Sequence, residues 1–152
     1  MPGPVLIAID ASPSCTALLD LVRRYCRPRE HQLHVLLAID SSFAVHDHAA
    51  PYTRGELAEY PAACDEQQQA ERAVAEAVWA LRDSGFGDCI GSMVAQEPVE
   101  AIVDKARELG CELIVMGHRH LSRFGRLLDP SISGKVIDRV ACPVLVGVAG
   151  AA

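Results

Sequence analysis

The chain lacks any C-x-x-C pair: its six cysteines, Cys15, Cys26, Cys64, Cys89, Cys111 and Cys142, are scattered along the sequence. That scatter excludes the compact ligand spacing of a structural zinc site, and it is unlike the framework of a secreted disulfide scaffold. The cysteines are expected as reduced core or helix residues of a cytoplasmic protein, where cysteine behaves as a small hydrophobe. No apolar run approaches the roughly 20 residues that span a bilayer. The opening residues Met1–Pro4 carry no basic region, so neither a membrane segment nor a signal peptide is expected. Positive charge is also scarce: 14 Lys and Arg stand against 20 Asp and Glu, a net charge of -6. This balance argues against a general nucleic-acid or anionic-membrane binder. No G-x-x-x-x-G-K-[ST] run exists, which excludes a Walker-type phosphate loop. Ser12 and Ser14 lack the G-x-S-x-G context of a nucleophile elbow.

What is present is ordinary globular material. The 152 residues are 50% hydrophobic and 22% charged, enough for one domain with a substantial core and unsuited to disorder. Val5–Ile9 is a short apolar run ending at Asp10, as in a parallel strand buried on both faces. Ser12 is placed to cap a following helix, with Pro13 at its first position and Leu18, Leu19, Val22 and Tyr25 at helical spacing. A second strand is expected over Gln32–Ile39. A long helix follows over Cys64–Asp83, with Ala70, Ala73, Val74, Ala77, Val78 and Leu81 as its inner stripe and Ser84 and Gly85 ending it. Cys89–Ala95 reads as a third strand. Glu97 and Pro98 open a third helix, with Ala101, Ile102, Ala106 and Leu109 facing inward and Gly110 closing it. Glu112–Met116, Ser131–Arg139 and Pro143–Val148 complete the set as strand, helix and strand.

Strict alternation of strand and helix requires right-handed crossovers and a parallel sheet of about five strands, covered by helices on both faces. The periodicity fails only over about residues 40–63, a stretch rich in Ser, His, Pro, Ala and Gly. Connections that long are usually functional or docking surfaces. No repeat, second domain or low-complexity tract is visible, so residues 1–152 read as one unit.

The segment from Leu113 to Val148 carries the most chemistry. It runs from buried strand through an anion-friendly loop and short helix to a second buried strand, and the exposed amides of such a helix start attract phosphate. It resembles the C-terminal signature of the universal stress protein family, G-x-x-G-x9-G-[ST], with Gly117 first and Ser131 last. The resemblance extends along nearly the whole chain. Asp10 to Ser12 is similar to the family's strand-Asp-x-Ser opening, Gln96–Pro98 with Ala101 and Ile102 to its third turn and helix, and Cys142–Val146 to its last strand. It implies a single Rossmann-like domain of the adenine nucleotide α-hydrolase type, commonly dimeric and associated with stress adaptation. It also implies an adenine nucleotide such as ATP as ligand, with magnesium compatible beside it. Asp10 and the backbone near Ala38 would lie by the adenosine. Gly117, Arg119, His120, Arg126 and Ser131 would surround the phosphates.

Two positions depart from the signature: His120 and Pro130 replace glycines. Histidine restores a side chain where backbone should approach phosphate, and proline removes an amide donor. Against these losses, Arg119, Arg123 and Arg126 supply guanidinium groups that can bind phosphate bidentately, with Lys135 and Arg139 farther on. Retention and loss of nucleotide binding both remain open on the residues alone.

Other constellations have plainer readings. His46 with His48 and His118 with His120 have His-x-His spacing, which suits zinc or nickel. No carboxylate or cysteine accompanies either pair convincingly, so polar loops are expected and no metal site. Asp10 has no second acid in motif spacing, so no catalytic residue is assigned and any nucleotide hydrolysis is expected to be slow. A metal-dependent phosphoester-cleaving or nucleotide-transferring enzyme is a weaker third reading. Trp79 is expected in the core or an interface. The hydrophobic last strand is expected to pair across a homodimer axis, because an apolar edge left open invites aggregation. Two functions follow: a regulatory binding module sensing an adenine nucleotide, or a nucleotide-free dimeric scaffold docking a protein partner through the 40–63 excursion or the basic loop.

Overall fold

The computed structural model describes residues 2–10, 15–39, 61–118 and 130–148. Among them the chain forms β1 (Gly3–Ile9), α1 (Cys15–Tyr25), β2 (His31–Ile39), α2 (Pro61–Asp83), β3 (Cys89–Ala95), α3 (Pro98–Leu109), β4 (Leu113–His118), α4 (Pro130–Arg139) and β5 (Val144–Val148). The five strands form one parallel sheet in the order β3-β2-β1-β4-β5. The expected α/β architecture is therefore the one observed.

Alternation along each strand divides the core into two layers. Val5, Ile7, Ile9, Leu33, Val35, Leu37 and Val115 pack with Leu18, Leu19 and Val22 of α1 and Ala70, Val74, Ala77, Val78 and Leu81 of α2. Leu6, Ala8, Leu36, Ile114 and Met116 face the other way, onto Val99, Ala101, Ile102, Val103 and Ala106 of α3 and Val136 of α4. The strands read as continuous apolar runs because both faces are covered.

Helix ends follow local chemistry. Glu97 caps α3, its carboxylate accepting the Val99 and Glu100 amides at 3.1 and 3.0 Å, and Pro98 follows at the first helical positions. Gly110 ends the helix in the left-handed region, φ 59° and ψ 42°, a conformation that side chains resist. An exposed ion pair between Arg139 and Glu100 joins α4 to α3, and the hydrogen bond from Arg139 holds the Glu100 carboxyl below its usual range.

Several expectations need correction. Tyr25 shares the spacing of the α1 core residues yet is 54% exposed, beside Arg24, while Cys26, four positions after Val22, takes the buried place. Trp79 is 71% exposed and no part of the core. It falls between Val78 and Leu81 of the inner stripe but points off it. α2 begins at Pro61 rather than Cys64, and β4 continues through Gly117 to His118 rather than stopping at Met116. Cys15, Cys26, Cys89, Cys111 and Cys142 are free thiols, three of them buried. Ser12, Pro13 and the excursion up to residue 60 lie outside the described residues.

One polar group sits within the α3-side layer. His34 is buried, with Nε2 2.8 Å from the Ser92 hydroxyl, and its Nδ1 has no hydrogen-bond partner among the described residues. Burial lowers its pKa, and the nearby Lys105 ammonium lowers it further, against a smaller opposing effect of Glu108. Its folded pKa thus lies below the unfolded value of about 6.5, so the unfolded chain binds the proton first as pH falls. Stability from neutral His34 is present above about pH 6.5 and is lost as pH drops toward the folded pKa. Urea unfolding between about pH 7.5 and about pH 5.5 is expected to show a steeper loss in the wild type than in His34→Gln, by up to ~1.4 kcal/mol per pH unit. Parallel profiles for the two proteins would show that His34 titrates normally.

Candidate functional site

The strand order reverses direction at β1. The chain moves from β1 outward to β2 and β3, then returns to the other side of β1 for β4 and β5. In open parallel sheets, the strands' carboxyl ends part at such a point and leave a crevice where ligands bind. The parting is visible in the register. The β1–β4 pairs run from Val5↔Leu113 to Ala8↔Met116, while β4 goes on against β5 through Gly117↔Gly147 and His118↔Val148. Beyond Met116, the β1-facing edge of β4 is therefore out of the ladder among the described residues. Asp10 stands opposite it, just past the end of β1.

Glycine at these two paired positions has different causes. A Cβ on Gly147 would meet Leu21 Cδ1 at 2.5 Å, so a side chain there requires the Leu21 side chain of α1 to move. A Cβ on Gly117 would point to the same face of the sheet. There it would meet no described atom within 4 Å, and its φ is not in the left-handed region. Neither packing against a described residue nor backbone geometry demands glycine at 117.

Right-handed crossovers run each helix antiparallel to the sheet, so the amino ends of α1 and α4 lie at the carboxyl ends of the strands. Both helices thus direct unsatisfied amides and positive dipole ends toward the crevice. Burial pushes the Cys15 thiol at the start of α1 up to about 11, and the carboxylates of Asp10 and Glu76 lie near enough to add to the shift.

Ala38 pairs with Val94 of β3 but lies one residue past Ile9↔Leu37, the last β1–β2 pair. The Ile39 carbonyl accepts the Gln96 amide at 3.1 Å on the β3 side. Alternation turns the Ala38 backbone groups the other way, toward the end of β1. The structure accordingly brings Asp10, Ala38 and Gly117 to one end of the sheet. Ser131 lies in the first turn of α4, its side chain outside the described set. Arg119, His120, Arg123 and Arg126 lie outside the described residues, as do His46 and His48. Among the described residues no group of three or more His, Cys, Asp or Glu side chains is arranged to hold a metal. Sequence reasoning missed Asp10 and Glu76 as neighbours of Cys15. Asp10 lies five positions before it, but Glu76 comes from α2 and left no local signal.

No curated protein sequence matches the chain significantly. Solved structures match the fold closely. A universal stress protein from Archaeoglobus fulgidus aligns with TM-score 0.66 and 22% identity over 96% of this chain and 98% of its own. Universal stress protein UspA from Lactobacillus plantarum gives 0.70 and 20%, over 95% and 96%. An Arabidopsis thaliana universal stress protein family protein, with AMP bound, gives 0.68 and 15%, over 99% and 93%. At these identities the structures establish the fold alone. The model of the universal stress protein family matches residues 1–147, and with that span the chain belongs to the universal stress protein family.

Proposed function

We propose that this protein is a regulatory binding module that takes an adenine nucleotide in the crevice between β1 and β4. The observation that carries the reading is the parting of those strands beyond Ala8↔Met116, beside a glycine that no described residue requires. In this reading the phosphates approach the backbone at Gly117 and the start of α4 at Ser131, with Arg119, His120 and Arg126 around them. Asp10 and the Ala38 backbone take the adenosine end, away from the phosphates. The same fold holds dAMP in a structure from Archaeoglobus fulgidus, AMP in the Arabidopsis protein and cAMP in a further universal stress protein.

A second reading, a nucleotide-free scaffold acting through protein contacts, has its own support in the exposed Trp79. An aromatic side chain of that size is favoured in contact surfaces. Either module would work as a homodimer joined through β5. On the opposite edge of the sheet, the outward carbonyl of Cys89 in β3 is taken by the Arg82 guanidinium at 2.8 and 3.0 Å. β5 forms the other edge, where the Pro143 carbonyl accepts the Ile114 amide, so alternation turns the amides of Val144 and Val146 outward.

Freshly purified protein, denatured and analysed by chromatography and mass spectrometry, is expected to release an adenine nucleotide. The stripped protein should rebind ATP, AMP or cAMP with micromolar affinity in calorimetry, with and without magnesium. Gly117→Val, by crowding phosphate off the backbone, and Ser131→Ala, by removing a hydroxyl, should each weaken binding about tenfold or more, roughly the worth of one charge-assisted hydrogen bond. An empty protein that ignores all three nucleotides would sink this reading and leave the scaffold.

Val146→Pro deletes an outward amide without touching the β4–β5 ladder, a position where an edge strand tolerates proline. Sedimentation is expected to show dimeric wild type and a variant shifted toward monomer. A variant that remains equally dimeric would place the interface elsewhere.

A further inference from the structure

The end of the sheet opposite the crevice holds two cysteines that are 31 positions apart in sequence, with their sulfurs only 3.8 Å apart. Cys111 follows the left-handed turn at Gly110 and leads into β4, while Cys142 leads through Pro143 into β5. The two lead-ins are held side by side by the Ile114 amide, which donates to the Pro143 carbonyl at 3.0 Å. Cys111 is buried and Cys142 half-buried, and both line a cavity of about 500 Å³ together with Arg107 and Arg139. A small oxidant therefore has room to reach the sulfurs.

We propose that Cys111 and Cys142 form a dithiol modification site that a peroxide closes to an intramolecular disulfide. The sulfurs must approach from 3.8 Å to the ~2.05 Å of a disulfide bond, within reach of side-chain rotation and a small backbone shift. Cys142 is the better-exposed attacker. Its thiolate displaces on the terminal peroxide oxygen, the O–O bond breaks, and the leaving oxygen takes up a proton, giving a sulfenic acid. The Cys111 sulfur then attacks the Cys142 sulfur, the S–O bond breaks, and the departing hydroxide takes the Cys111 proton as water. Two thiols lose two electrons in total, and one peroxide bond gains them. Burial, with Cys142 beside it, pushes the Cys111 thiol up to about 12, so this second step is the slower one and needs the departing hydroxide to take the proton as the S–S bond forms.

The bond would enclose β4, residues 119–129 and α4 in one covalent loop, and with them the whole phosphate side of the crevice. It would restrict the unfolded chain most across that segment. The test uses the unaltered full-length protein: incubation with hydrogen peroxide, alkylation of remaining thiols, and peptide mapping without reductant. The expected product is one linked peptide pair joining Cys111 to Cys142, reversed by a dithiol reductant and absent from Cys142→Ser. Its unfolding midpoint without reductant should rise by roughly 5 °C or more. The proposal is overturned if both cysteines instead alkylate after unfolding, oxidise separately to sulfinic acids, or pair with other cysteines. Nucleotide release and rebinding are measured at the other end of the sheet, so the two readings fail independently.

Discussion

The burial of β1 on both faces and both edges is the constraint from which the rest follows. Val5 to Ile9 are five consecutive buried residues, hydrogen-bonded to β2 on one side and β4 on the other. Each large aliphatic in such a run contributes about 1.5–3 kcal/mol on burial, so the register of the sheet is strongly fixed. A parallel sheet needs crossover helices, and their right-handed sense returns every amino end to one side. Once β1 is central and β4 is placed opposite β2, a crevice between the ends of β1 and β4 is a geometric consequence. Asp10 and Gly117 lie at that end because each directly follows the last buried residue of its strand. The site thus inherits its position from hydrophobic burial, not from any interaction among its own polar groups.

Much of this was legible in the sequence because the signals were local. Apolar runs of strand length, Glu97 with Pro98, and Gly110 each declare themselves within a few residues, and the structure places them accordingly. What failed was tertiary. Tyr25 has the spacing of a core residue, but spacing did not show that its neighbour Cys26 takes the buried place. Trp79 has the composition of a core residue but falls beside the inner stripe of α2. β4 outran its expected end because Gly117 and His118 look like loop residues, while cross-strand hydrogen bonds to β5 keep them extended. The same blindness hid the meeting of Cys111 and Cys142. Cysteine spacing along the chain identifies ligand sets built on one turn, whereas these two are joined by neighbouring strands.

The two ends of the sheet therefore differ in kind. At the carboxyl ends, helix amino ends bring partial positive charge, and the structure keeps a strand glycine that its described neighbours do not explain. At the amino ends, tight turns bring chain segments together, and buried side chains such as Cys111 are held in one place. A ligand site and a covalent cross-link site have opposite needs: open backbone for the first, close approach of fixed side chains for the second. The two proposals accordingly fall at opposite ends of the sheet.

The departures at His120 and Pro130 bear on the first of these ends in a physically specific way. A glycine loop holds phosphate with backbone amides, which carry no net charge and suffer little from salt. Were arginines to take over part of that cradle, the task would pass to cationic side chains, whose long-range attraction is screened over about 8–10 Å at physiological ionic strength. A ligand bound mainly by Arg119, Arg123 and Arg126 would be selected by its charge, so affinity should rise from AMP to ATP and fall as salt increases. A ligand held by surviving amides at Gly117 and the start of α4 would show a weaker dependence on both. Salt dependence measured for AMP and ATP together thus separates a rebuilt phosphate site from a retained one. A flat response with equal affinities would argue against the arginines.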